Sequence, residues 1–482
     1  MQKFLILDNK NLNNLIILFF SLSILFFLQL FFKNQINFTI FILLSFLIFV
    51  NYFSFFFYFY LKKESKNFPI FPLIIFYYLL TFTGYFYFSR DLYYEESSEI
   101  LSILILAISF GILFFSLGYF SLYLVIQKNK IIEFKYIDKY NPLIIASLVV
   151  FLILIHANIY NGYLPYGFIN QLREPITLII ISMLYFSYVG KKNIFILMLN
   201  IFFILVFFFI EISTGSTVFP FMIFLMLISV NYFKTKKINL IHVIVLSLLV
   251  FFFHNIKYDI RSKTWSTTTV DDTLRNTSLH FKENKPDLGK NLSATYDAMF
   301  DNIKDNKKLF SNPGYQKLRL FHSNITLQRT LDFTPDYVNY LDGESYKSIP
   351  YKIIPRFIYK NKPSEEWGNS FGKFYKILNY NDFVTSWNYP VLSEFYSNYG
   401  FKGIIFGMFI LGLFVKILVL ITQFFSNSIL ISSMGYVVAF NLVFQESNLS
   451  MLVGKVVNQI LFFLCIVISI IIFHYFLGKI KK

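Results

Sequence analysis

The stretch TSWNYPVLSEFYSNYGFKGIIFGMFILG, Thr385 to Gly412, passes within a few residues from a polar, proline-marked segment into an apolar run that continues to Thr422. A bilayer core about 30 Å thick calls for roughly 17–25 apolar residues per helix, so 400–422 reads as a membrane helix. Comparable runs lie at 14–32, 36–61, 69–88, 99–126, 142–160, 175–190, 194–212, 217–233, 239–254, 428–446 and 456–477. Those at 175–212 and 239–254 are short, which fixes the total of twelve to within about one helix. The expected fold is an all-α polytopic membrane protein. Helices one to nine would occupy 1–254, a large loop 255–399, and helices ten to twelve 400–482.

Composition agrees. Of 482 residues, 56% are hydrophobic and only 15% charged, against about a quarter charged in soluble domains. A soluble fold would lack the polar surface to cover so much apolar side chain. The net charge of +16 does not point to nucleic acid, because the lysines flank the apolar runs, where topology accounts for them. Cys465 is the only cysteine, which excludes disulfides and cysteine metal clusters. The first run, Leu15 to Phe32, has no small-residue cleavage site and reads as a membrane helix rather than a signal peptide.

With the N-terminus inside, alternate connections carry Lys62, Lys63 and Lys66, then Lys128, Lys130, Lys135 and Lys139, then Lys191 and Lys192, then Lys234, Lys236 and Lys237, and finally the tail lysines 479, 481 and 482. The opposite connections hold Lys33, Arg90 among acidic residues, Arg173 and Lys455. The positive-inside rule then places both termini in the cytoplasm and 255–399 outside it. That segment is polar and carries seven prolines between 286 and 390. Tyr296 to Phe310 spaces Met299, Phe300, Ile303 and Phe310 as an amphipathic helix would. The expectation is a mostly helical, irregular cap docked on the membrane helices. No internal repeat is evident.

Two stretches of this segment carry the densest motifs, LDGESYKSIPYKIIPRFIYKNKP (Leu341 to Pro363) and Thr385 to Gly412. Their features are Gly343, Ser345 and Tyr346, then Pro355-Arg356, Lys362-Pro363, Gly368, Phe371, and Thr385-Ser386. Glu394-x-Tyr396 then leads through Asn398 and Gly400 to Gly403. Together they resemble the large-loop region of the bacterial O-antigen and oligosaccharide repeat-unit polymerases, the Wzy-type family. The resemblance covers about 90 residues closely and the remaining helices by topology alone. It implies a C-type-like glycosyltransferase architecture. The implied activity is polymerisation of undecaprenyl-pyrophosphate-linked oligosaccharide at the outer face of the inner membrane, without cofactor or metal. Partners would be that lipid-linked oligosaccharide, the bilayer, a chain-length regulator and a flippase. The chain departs from related enzymes at the turn Ser213 to Thr217, which is not followed by an Arg.

The residues themselves suit that chemistry. Guanidinium forks bind phosphate oxygens bidentately, and Arg173, Arg261, Arg319, Arg329 and Arg356 fall on the outer side with Lys362. Arg173 is read as part of a tight proline-bounded loop beside Glu174. Solvation or pairing with loop acids accounts equally well for any one of these arginines. Glu394 is the leading general base for an attacking sugar hydroxyl; the competing role is complementing the dipole at its own helix start. Arg356 and Glu394 are thus the catalytic candidates, with Arg173, Arg261, Arg329, Lys362, Tyr346 and Tyr396 expected to bind pyrophosphate or glycan.

Glu211 and Glu446 lie near outer helix ends, and His254, His280 and His322 lack metal-ligand spacing. Lys416 is expected to snorkel to the cytoplasmic surface. Tyr93, Tyr94, Trp265, Trp367 and Trp387 could stack on sugars or anchor the interface. Three alternatives stay open: an O-antigen ligase, which would need a catalytic His such as His322 or His280, a lipid-linked oligosaccharide flippase or transporter, and a membrane scaffold.

Overall fold

The computed structural model describes residues 6–7, 9–33, 35–61, 68–88, 98–122, 138–161, 166–213, 218–239, 243–244, 321–354, 367–378, 381, 386–424, 428–443 and 445–480. In chain order the elements are β1 (Ile6–Leu7), α1 (Asn9–Phe32), α2 (Phe38–Tyr60), α3 (Ile70–Tyr78), a π-helical turn (Leu79–Thr83), α4 (Gly84–Phe88), α5 (Ser98–Ser121), α6 (Asn141–Asn161), α7 (Tyr166–Lys191), α8 (Ile194–Ser213), α9 (Val218–Thr235) and β2 (Ile238–Asn239). There follow α10 (His322–Phe333), a 3-10 turn (Glu344–Ser348), α11 (Ile349–Ile353), α12 (Trp367–Phe374), α13 (Val391–Phe424), α14 (Ile429–Asn441) and α15 (Leu449–Ile480).

Seven of these helical spans are long and apolar enough to cross a membrane: α1, α2, α3 through α4, α5, α7, α13 and α15. Shorter apolar stretches lie in α6, α8, α9 and α14. The expected run at 239–254 and the amphipathic helix at 296–310 fall outside the described residues, apart from 239, 243 and 244. Large apolar side chains stand exposed on the helices, among them Phe202, Leu464 and Ile468, a surface that lipid covers. The chain is a helical membrane protein.

Three contacts order the ends of these helices. β1 pairs antiparallel with β2. The Asp138 carboxylate accepts from the Ile429 N–H (2.9 Å) and the Ser428 hydroxyl (3.0 Å), capping α14. Tyr140 and His474 share a 2.7 Å hydrogen bond. Each joins two segments that the lysine alternation assigns to one side.

The closest helix pair is α5 against α13. A Cβ placed on Gly118 would lie 2.0 Å from the Phe409 carbonyl oxygen, and one on Gly412 2.1 Å from that of Phe115. Only the absence of side chains lets these backbones touch, the usual means of tight packing where water provides no hydrophobic drive.

Four expectations about boundaries need correction. The polar segment does not last to residue 399: α13 begins at Val391, directly after Pro390, and breaks at Tyr399 (φ −142°, ψ 19°) and Gly400 (φ +61°, ψ −145°). Arg173 is not in a loop, because α7 starts at Tyr166 and runs through Pro175; a proline inside a helix costs one backbone bond without ending it. The run 428–446 is helical only to Asn441, beyond which the described residues 442–443 and 445–448 are non-helical and include Gln445 and Asn448, both buried. Lys455 belongs to α15 rather than to a connection.

Candidate functional site

At the break in α13 the chain folds back on itself. A Cβ on Gly403 would meet the Phe395 carbonyl oxygen at 2.0 Å, and one on Gly407 the Phe395 ring at 2.6 Å. The short leading arm, Val391 to Asn398, thus lies against the start of the long arm. Leu392 packs over Gly111 in α5, so the leading arm sits within the bundle. Every residue from Val391 to Asn398 is buried, including Ser393, Glu394, Ser397 and Asn398.

Polar groups so deep need partners, and the surrounding elements supply them. Asn398 is the hub. Its amide donates to Ser345 Oγ (2.9 Å) and to the Glu394 carbonyl (2.8 Å), while its side-chain oxygen accepts from Gly343 N–H (2.9 Å). Leu341 and Asp342 N–H groups donate to the Ser397 and Asn398 carbonyls at 3.0 and 3.3 Å. The turn carrying Gly343, Ser345 and Tyr346 is thereby clamped to the C-terminal end of the leading arm.

Glu394 serves a different neighbour from the one expected. Its carboxylate accepts the Leu449 N–H at 2.5 Å, at the start of α15, where unpaired N–H groups favour an anion. It stands in the first turn of its own helix, as expected, and also complements the dipole of α15. On the same arm Val391 N–H donates to the Gln445 carbonyl (3.2 Å), and Tyr78 Oη donates to Gln445 Oε1 (2.6 Å). Buried Gln445, in the non-helical residues after α14, thus has both its carbonyl and its side-chain oxygen bonded by protein. Burial, and after it the Glu394 charge, push the Tyr346 phenol well above its ordinary pKa. Tyr346 stays protonated beside the carboxylate.

Of the expected site residues, Glu394 and Tyr346 come together. Tyr396, two residues on, turns away: it is buried, and its hydroxyl donates to the Thr334 carbonyl (3.4 Å). Arg329 lies half-buried on α10 with its guanidinium 5.9 Å from the Phe333 ring. Arg173 is half-buried near the start of α7. Arg261, Arg319, Arg356, Lys362, His254, His280, Tyr93, Tyr94 and Trp265 lie outside the described residues, as do 214–217 of the small-residue turn.

The aromatic and basic residues of second rank are mostly packed. His322 stacks against Trp387 (centroids 4.2 Å apart), whose indole N–H donates to Thr326 (3.0 Å). Phe371, Tyr375 and Tyr389 form a stack that hydrogen bonds Thr330 of α10 and Thr334 just past its end, and burial raises both tyrosine pKa values. Lys416 does not snorkel. It is 2% exposed, with its ammonium 4.8 Å from the Tyr119 ring centre, because the glycine-tight contact of α13 and α5 encloses it. Among the described residues no group of His, Cys, Asp and Glu could hold a metal ion.

Residue-type reasoning placed Asn398 in a motif without its role as a hub, and it passed over Gln445. The available signal was spacing: Ser393, Glu394, Ser397 and Asn398 recur at helical intervals just after Pro390, a pattern for a helix with one polar face.

No protein-family model, curated protein or solved structure matches the chain.

Proposed function

We propose that this protein polymerises undecaprenyl-pyrophosphate-linked oligosaccharide repeat units into a surface polysaccharide, O-antigen or capsule, at the outer face of the bacterial inner membrane. One observation carries the reading. The two stretches on which the Wzy-type resemblance rests, some fifty residues apart in the chain, pack directly on one another through Asn398, Ser345 and Gly343. Motif residues that met nowhere in the fold would have argued against it.

In this reading the acceptor hydroxyl attacks the anomeric carbon of the donor, the bond to pyrophosphate breaks, and undecaprenyl pyrophosphate leaves with the hydroxyl proton passing to its freed oxygen or to water. Arg356 and Lys362 are the groups assigned to the pyrophosphate by their charge. The role of Glu394 shifts. A carboxylate with no exposed surface, held by the Leu449 N–H, acts as a positioning residue. It fixes the leading arm of α13 against α15, and with them the turn bearing Tyr346.

The test is reconstitution of the purified chain in lipid with undecaprenyl-pyrophosphate-linked repeat units. A ladder of chain lengths without nucleotide sugar or added metal is expected, abolished by Arg356→Ala. Transfer of glycan to lipid A core alone would mean a ligase instead. Transbilayer movement without elongation would mean a flippase.

A further inference from the structure

Beside the polar hub two backbone turns cross and leave an open cleft. The first is Asp342-Gly343, with φ of +46° and +85°, and the second is Gly400, at +61°. Each glycine lies under a tyrosine of the other turn: a Cβ on Gly343 would sit 2.5 Å from Tyr399 Oη, and one on Gly400 2.9 Å from Tyr340 Oη. Left-handed backbone is uncommon outside glycine, and Asp342 is among the few residue types that tolerate it at modest cost. Such strain persists where surrounding structure over-determines it, often at ligand sites. Here the hydrogen bonds from Leu341, Asp342 and Gly343 to Ser397 and Asn398 hold it in place.

The cleft has a volume of about 450 Å³ and is lined by Tyr340, Asp342, Asn398, Tyr399, Phe401 and Lys402 with Gly400. Tyr399 is 46% and Tyr340 37% exposed, while Tyr78, Tyr119, Tyr375 and Tyr389 are wholly buried. The walls thus combine accessible aromatic faces with a carboxylate, an amide and an ammonium. A pyranose needs that combination: its C–H face is apolar, and its rim of hydroxyls requires acceptors and donors. Interfacial anchoring explains exposed tyrosines and a lysine, but not two crossing turns that each seat the other's tyrosine over a glycine in a cleft that Asp342 also lines.

We propose that this cleft is a sugar-binding subsite, taking a pyranose ring at the end of the glycan chain, with Tyr399 and Tyr340 against the ring and Asp342 on its hydroxyls. Its open side lets the rest of a chain run out past the site. Assigning the ring to a growing chain rests on the glycosyl-transfer reading; the sugar chemistry of the cleft does not.

The experiment uses the full chain in lipid nanodiscs and, as probe, oligosaccharides released by mild acid from the producing cell's own surface polysaccharide. Binding is followed by saturation-transfer NMR and calorimetry. Wild type is expected to bind. Asp342→Asn and Tyr399→Ala should each weaken binding at least about tenfold, the loss expected for one charge-assisted hydrogen bond or a comparable contact. Tyr399→Phe, which keeps the ring, should stay within about threefold, roughly half as large in free energy. No binding by wild type at millimolar sugar, or equal binding by Asp342→Asn and Tyr399→Ala, overturns the subsite. So does a change in thermal stability alone, which would mark an interfacial anchor. The polymerisation ladder is read separately: binding without a ladder removes the glycosyl-transfer reading and leaves the cleft, and a ladder without binding does the reverse.

Discussion

The two arms of α13 solve one packing problem with opposite chemistry. From Phe401 to Phe424 the long arm approaches α5 and the leading arm through Gly403, Gly407 and Gly412, where a single Cβ would collide with backbone or ring. From Val391 to Asn398 the leading arm uses Glu394, Ser397 and Asn398 to bond α15 and the Gly343 turn. Glycine packing depends on shape and leaves nothing to titrate or rearrange. Polar packing depends on partners, and each partner can be exchanged. The difference teaches where this bundle is fixed and where it is able to move.

Six substitutions at five positions separate the arms, and each is read by denaturant unfolding of the purified protein in mixed micelles. Gly118→Leu or Gly412→Leu should have the largest effect, about 3 kcal/mol or more, with loss of folded protein on size exclusion, because backbone cannot yield as a side chain can. A small effect there would break the comparison outright. Glu394→Ala should cost about 2–3 kcal/mol, since it strips a buried helix start of its anion. Glu394→Gln keeps an acceptor for Leu449 and should recover more than half of that. If Glu394→Gln is stable yet inactive in the ladder assay, the negative charge matters beyond the cap. Asn398→Ala removes three hydrogen bonds and should cost about 2 kcal/mol, less than three bonds summed because water can enter the vacated space. Ser345→Ala should cost about 1 kcal/mol, and it sharpens the comparison by showing that the polar arm loses stability in steps.

Much of this was legible in the apolar runs, for a plain reason. Hydrocarbon tolerates only internally bonded backbone, so long runs such as 99–126 have little choice but to become helices. Boundaries were legible only where polarity and helix end together. Val391 to Asn398 is polar and helical at once, and Tyr166 to Arg173 is helical ahead of a proline, so both read as loop. Length misled in the other direction at 428–446, where apolar character outlasts the helix. The site was half legible. Glu394 and Tyr346 could be picked by residue type, but the partner of Glu394 is a backbone N–H, and a backbone group leaves no mark in a sequence. Lys416 was misjudged because snorkelling assumes a free path to the surface, and the glycines that close this path lie on two different helices.

The break at Tyr399 and Gly400 has a consequence for how the chain can change over evolutionary time. One residue inserted into a continuous helix turns everything beyond it by about 100°. Inserted before residue 399, it would swing Glu394 or Asn398 off their partners, but the break would absorb the rotation. Gly412 would still face Phe115 of α5, and only Gly403 and Gly407, which rest on Phe395 of the leading arm, would meet a changed neighbour. The contact of the long arm with α5 is therefore insulated in register from the leading arm, and a change of register there is felt only at Gly403 and Gly407.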